Sequence, residues 1–340
     1  MTVPELCAAD VRGIVGILPT PAKPGAERWD ATDTVDLAES ARLADACVRA
    51  GVDMLLTNGT FGECATLTWE ELRAFVDTVV QTVRSRVPVC AGATTLNTRD
   101  TIRRARALIE LGANGLFLGR PMWVALDDHG IVAYYRDVTE ALPSAPIVVY
   151  DNPSAFKGKI SPRAYSELAK LPQIIAAKHL GLATGLEALR RDLAAVRGQI
   201  RILPLDEEWY YAAKLFPEEL PACWSGFYAC GPAPLEALKA AILAHDWERA
   251  AVIQRDLEWA TETFFPDGDL QKFLQYSIKL DKVRYETAGW FRPGPARPPY
   301  DYAPVAYQEG AAECGRRWRQ LQEKYATLTE SAGVAASTAG

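Results

Sequence analysis

The chain has 340 residues, 49% of them hydrophobic and 24% charged, with a formal net charge of −6. That balance excludes a disordered chain and leaves one large domain or two smaller ones, either able to bury a substantial core. With no long basic run it also excludes an electrostatic nucleic-acid binder, while an acidic total still permits a locally positive site for an anionic substrate.

Short β-branched or apolar runs alternate with longer segments of helical period. The first run is Gly13–Thr20, followed by a helix near 33–50 with Thr32 or Asp33 as its cap. Asp53–Asn58 precedes a helix near 68–84, where Thr68 and Glu71 form a capping box. Strands over 87–93, 115–119, 146–150, 174–179, 200–205 and 222–225 follow. Helices over 98–111, 128–141, 162–170, 186–196, 208–216 and 234–244 alternate with them. Eight such units mean a parallel sheet covered by helices. Near-continuous apolar strands fit burial on both faces. An open doubly wound sheet is the other closure, but no GxGxxG follows the first strand. The expected fold is α/β: a (β/α)8 TIM barrel over residues 1–245 with a C-terminal helical extension over 246–328.

The extension reads as helices over 247–263 and 269–288, a strap with five prolines between Pro293 and Pro304, and a last helix near 307–325. Residues 329–340 are small and polar, and a disordered tail is expected there. The N-terminal MTVPELCAADVRG lacks the pattern of a signal peptide, and no apolar run is long enough for a membrane span. Seven scattered cysteines read as free thiols. A cytoplasmic protein with no membrane and no nucleic-acid partner is expected.

Barrel active sites lie at the C-terminal ends of the strands. Lys178 closes the apolar run Ile174–Ala177. Burial there would give a neutral amine able to attack a ketone. The other reading is that it snorkels from the barrel mouth or pairs with an acid such as Asp206. Tyr150 ends the preceding strand. Its phenol would move protons beside an imine, or its hydroxyl would bond backbone as a core cap. Gly59-Thr60-Phe61-Gly62-Glu63 is either an anion-binding nest or an ordinary tight turn. The three histidines have no metal-ligand spacing, and no GxSxG elbow occurs.

Taken together, Gly59–Glu63, Tyr150-Asp151-Asn152-Pro153 and Ala177-Lys178 resemble the dihydrodipicolinate synthase / N-acetylneuraminate lyase superfamily over roughly residues 13–290. The resemblance implies a class I pyruvate aldolase. Lys178 would form the imine and Tyr150 would move its protons. The Thr60 and Phe61 N–H groups would hold the keto-acid carboxylate. No metal or organic cofactor is implied, since the protonated imine is the electron sink. Phe61 stands where the synthases carry a second threonine, and no arginine follows Tyr150 in the next turn. Both departures argue against lysine biosynthesis.

Gly59–Glu71, Asn152–Lys157, Cys230-Gly231-Pro232, Ala288-Gly289-Trp290 and Arg297-Pro298-Pro299-Tyr300 are similar to the hydratase-aldolase branch of polycyclic aromatic degradation. That branch adds water to an ortho-substituted benzylidenepyruvate and releases an aromatic aldehyde and pyruvate. Phe61, Trp224 and Tyr228 are candidates for the ring's aromatic surroundings, with core packing the other reading. Asn152 is a further substrate-binding candidate. Ser277 and Lys279 occupy positions that in the branch are often asparagine and glycine. A carboxylated ring, as in trans-2'-carboxybenzalpyruvate, is therefore expected, with the o-hydroxylated ring as alternative. An aldolase for sugar acids and a barrel that only binds keto acids are the remaining rivals. Water addition is left to Tyr150, Asn152 or an acid such as Glu207. A homotetramer is implied by the resemblance.

Overall fold

The computed structural model describes residues 6–338, with side chains to 328. Eight strands form the barrel: β1 (Gly13–Ile17), β2 (Met54–Leu56), β3 (Val89–Gly92), β4 (Gly115–Leu118), β5 (Ile147–Tyr150), β6 (Ile174–Lys178), β7 (Arg201–Leu203) and β8 (Ala222–Ser225). All pairings are parallel, in the order β7-β6-β5-β4-β3-β2-β1-β8. The Trp224 N–H donates to Pro204 O at 2.9 Å, and a Leu205–Trp224 bridge brings β8 against β7 and closes the ring. The fold is a (β/α)8 barrel. Its strands are buried throughout except at Arg201, because side chains facing in fill the barrel and those facing out meet helices.

The barrel helices are α1 (Leu37–Ala50), α2 (Trp69–Val83), α3 (Thr98–Glu110), α4 (Asp128–Ala141), α5 (Pro162–Leu168), α6 (Leu186–Val196), α7 (Trp209–Leu215) and α8 (Ala233–Leu243). The capping box at α2 forms: Thr68 Oγ1 accepts the Glu71 N–H and Glu71 accepts the Thr68 N–H. At α1 the cap is Asp36, not Thr32 or Asp33. Residues before it are held extended by an antiparallel Ala22–Val35 bridge and by the Lys23 N–H donating to Thr34 O, so the helix cannot start earlier.

The extension comprises α9 (Trp247–Thr261), α10 (Leu270–Ala288) and α11 (Val305–Thr338). Of the segment 329–340, expected to be a disordered tail, residues 329–338 continue helix α11, and 339–340 lie outside the described residues. Helix α11 packs on α8, α9 and α10. Between α10 and α11 the proline-rich segment crosses the barrel mouth without helix. Among the described residues, no helix is long and apolar enough to cross a membrane.

One buried carboxylate ties strap, extension and barrel together. Glu63, 1% exposed, pairs with Arg297 of the strap at 2.8 Å and with Lys282 of α10 at 2.7 Å. Arg297 Nε also donates to Thr34 Oγ1, whose hydroxyl donates to Glu71 of the α2 cap. Removing one partner of such a group strands the others in low dielectric. Glu63→Gln is expected to cost roughly 3–5 kcal/mol of stability in denaturant unfolding; a loss under 1 kcal/mol, the range of a surface pair, would show that the strap is not anchored this way.

Candidate active site

Tyr150 and Lys178 are the last residues of β5 and β6 and lie opposite each other in the parallel register. Both line one cleft. Thr60 and Phe61 line it from the loop after β2, Asn152 from the loop after β5, and Trp224 from β8. Leu274, Ser277 and Arg284 of α10 form its outer wall with Phe264, Phe265 and Phe273. A second cleft meets the first at Thr60, Tyr150, Leu274 and Ser277, and opens toward Gly59 and the strap residues Tyr300 and Tyr302.

Lys178 is buried, and among the described residues it forms no salt bridge. Its amine sits 3.3 Å from the centroid of the Trp224 ring, 4.6 Å from Tyr150 and 5.8 Å from Phe61. Loss of hydration brings its pKa down to about 7, although Asp206, Asp281 and Asp151 pull the other way. The alternative of a pair with Asp206 fails because that carboxylate is already occupied. It accepts from the Ser225 hydroxyl, the Phe227 N–H and the Glu207 N–H. Trp224 is itself fixed by its indole N–H donating to His179 O at 2.7 Å.

The Tyr150 hydroxyl lies 2.9 Å from Thr60 Oγ1 and accepts from Asn152 Nδ2 at 3.1 Å. Asn152 is oriented by its Oδ1, which accepts the Ser154 and Ala155 N–H groups. Burial raises the phenol pKa, partly offset by the bonds from Thr60 and Asn152. Tyr150 is therefore a neutral phenol that can hand a proton over and recover it. A side chain at Gly59 would come within 2.8 Å of Phe117, which stacks on Tyr150. The Thr60 backbone also reaches the Tyr150 hydroxyl and adds to the bonds that oppose the rise in its pKa. Thr60 and Phe61 both line the cleft, on the turn that the sequence marks as a candidate anion-binding nest.

Two sequence candidates stand elsewhere. Tyr228 points away from the cleft and donates to Glu236 at 2.7 Å, so its role is core packing. Lys279, on the same helix as Ser277, lines neither cleft. Sequence reading missed Arg284 and Asp281, which pair at 2.8 Å while 1% and 2% exposed. Desolvation pushes Asp281 up to about 7. Arg284 packs on Phe227 and Phe264 at 3.9 and 4.5 Å, with Nε and Nη1 lacking hydrogen-bond partners. The available signal was the spacing Ser277, Asp281, Arg284, which recurs on one helix face. Among the described residues no group of three or more His, Cys, Asp or Glu side chains is placed to hold a metal ion.

The dihydrodipicolinate synthetase family model matches residues 15–203. The chain is 56% identical over 331 residues to the trans-2'-carboxybenzalpyruvate hydratase-aldolase of Nocardioides sp. (strain KP7), covering 97% of this chain and 100% of that one. It is 44% identical over 329 residues to the trans-O-hydroxybenzylidenepyruvate hydratase-aldolase of Pseudomonas aeruginosa, covering 96% and 97%. The solved structure of PhdJ bound to a substrate intermediate superposes with a TM-score of 0.93 at 55% identity, covering 94% of this chain and 99% of that one.

An amine with a pKa near 7 is half neutral at pH 7, whereas an ordinary lysine is almost wholly protonated there. Borohydride trapping with pyruvate is expected to label Lys178, with a rate that falls as pH drops below about 7 and levels off above it. Lys178→Ala should give no adduct. A trapping rate that keeps climbing toward pH 10 would mean an ordinary, solvated lysine.

Proposed function

The chain belongs to the dihydrodipicolinate synthetase family, and from that premise we propose that it is a hydratase-aldolase converting trans-2'-carboxybenzalpyruvate and water to 2-carboxybenzaldehyde and pyruvate. The observation that carries the reading is an unpaired, desolvated Lys178 amine within an aromatic cleft. The 56% identity to a carboxybenzalpyruvate enzyme over nearly the whole chain supports the ring substituent.

Lys178 attacks C2 of the keto acid, whose carboxylate rests on the Thr60 and Phe61 N–H groups. Tyr150 gives a proton to the departing hydroxyl of the carbinolamine, and the protonated imine forms. Conjugation with the C3–C4 alkene makes C4 electrophilic, and water adds there. The resulting 4-hydroxy imine then breaks its C3–C4 bond. Tyr150, left without its proton by imine formation, takes the C4 hydroxyl proton; the aldehyde departs, and the electron pair collapses into the imine as an enamine. Protonation at C3 and hydrolysis release pyruvate and restore Lys178. The apolar Phe61 and Trp224 walls suit a ring and leave few partners for a polyol, which disfavours a sugar-acid substrate.

The ring carboxylate is assigned to Ser277 and Arg284 rather than to Lys279, which does not line the cleft. Arg284 supplies the cation and Ser277 the room and a hydroxyl. The homotetramer and the cytoplasmic location remain part of this proposal, supported by the family resemblance. A charge-assisted contact contributes about 1.5–3 kcal/mol. The kcat/KM for the carboxylated substrate should therefore exceed that for the o-hydroxylated one by roughly tenfold or more. A preference for the hydroxylated ring would transfer the assignment to the naphthalene-type substrate.

A further inference from the structure

Two carboxylates line the cleft, Asp206 and Glu207, both following β7. Asp206 is committed to Ser225, Phe227 and Glu207 hydrogen bonds. Glu207 is different. Its backbone carbonyl accepts from Gln254 at 2.5 Å, which holds the residue in place, but its buried Oε1 has no hydrogen-bond partner. A buried carboxylate oxygen left open costs free energy, and a built site tolerates it where a transient partner will occupy it.

The other candidates for handling the added water are already used. Asn152 has no basic atom, and both ends of its amide are bonded. Tyr150 is tied to Thr60 and Asn152 and serves the imine and the cleavage step. Asp281 pairs with Arg284 and does not line the cleft. We infer that Glu207 is the general base that activates water for addition to C4 of the conjugated imine, and, in the reverse direction, the acid that dehydrates the 4-hydroxy adduct. The inference rests on the hydratase-aldolase reading above.

The step balances as follows. Water oxygen bonds to C4 while Glu207 takes one of its protons. The C3–C4 π pair moves to C2–C3, and the C2–N π pair moves to nitrogen, leaving a neutral enamine. Glu207 returns that proton to C3 of the enamine, which gives the 4-hydroxy imine and restores the carboxylate. The surroundings of Glu207 suit both directions. Burial and the charge of Asp206 push its pKa up to about 8, with Arg284 opposing. Near neutrality both the acid and the carboxylate are thus within reach. A cationic imine forming in the same cleft favours the carboxylate at the moment it is needed.

The test separates hydration from aldol chemistry. Glu207→Gln is given trans-2'-carboxybenzalpyruvate, and separately 2-carboxybenzaldehyde with pyruvate. General acid–base catalysis is worth about 10²–10⁴-fold. Loss of the conjugated absorbance should slow by at least about 100-fold. Condensation to the 4-hydroxy keto acid should persist, stop without dehydration, and be accompanied by an intact borohydride-trapped pyruvyl adduct on Lys178. Wild-type rates of absorbance loss in the variant overturn the inference. So does an equal fall in hydration and condensation with the adduct intact. If Glu207→Gln does not trap pyruvate, Glu207→Ala with added formate decides: restored hydration supports the base, and no restoration overturns it. Wild-type protein that traps pyruvate but leaves the carboxylated and hydroxylated alkenes untouched would instead remove the hydratase-aldolase reading itself, and the role of Glu207 with it.

Discussion

A lysine amine that ends a buried barrel strand loses most of its hydration, and nothing in the barrel replaces that loss with a carboxylate. Trp224, Tyr150 and Phe61 surround Lys178 with ring faces, which attract a cation more weakly than water or an anion would. Asp206, the acid that most opposes the fall in the Lys178 pKa, is held back by Ser225 and two backbone N–H groups. The cost of keeping the amine charged brings its pKa down to about 7, so much of it is neutral near neutral pH. The rest of the cleft maintains that isolation.

Maintaining it needs more than the barrel. Helix α10 supplies Leu274, Ser277 and Arg284 as the outer wall, and the strap closes over the loop after β2. The Glu63 hub, bonded to Arg297 and Lys282, holds that loop in register with both. The same loop presents the Thr60 and Phe61 N–H groups and the Thr60 hydroxyl. Orientation of Tyr150 and docking of the extension are therefore linked through five consecutive residues. This explains why a small, polar-flanked turn carries an ion pair buried as deeply as any in the core.

The acids in and behind the cleft wall follow a second logic. Asp206, Glu207 and Asp281 gather round Arg284, one guanidinium for three carboxyls. Full ionisation is unfavourable there, and Glu207 and Asp281 hold their protons to higher pH than solvated carboxyls. A site that must both accept and return protons gains from groups poised in this way.

Much of this was legible in the amino-acid sequence. Alternating apolar runs and amphipathic segments set the barrel, because a strand covered on both faces must be apolar and a helix on its outside must not be. The helices 128–141 and 186–196 were placed to the residue, each bounded by local turn chemistry. Lys178 and Tyr150 stood out because each is a polar side chain at the end of an apolar run. Local rules failed where a distant segment intervened. The start of α1 is set by the Ala22–Val35 bridge, not by the first capping residue. Tyr228 and Lys279 have the right chemistry on the wrong faces, and Arg284 and Asp281 look like an ordinary exposed i,i+3 pair until α10 is packed over the barrel mouth. The sequence by itself determined the fold and singled out Lys178 as a polar side chain closing an apolar strand, since both depend on patterns within a few residues. Only the tertiary structure decided the walls of the cleft and which acid is free to act. Those depend on side chains more than a hundred residues apart being buried together, and burial is what turns a surface charge into a reactive one.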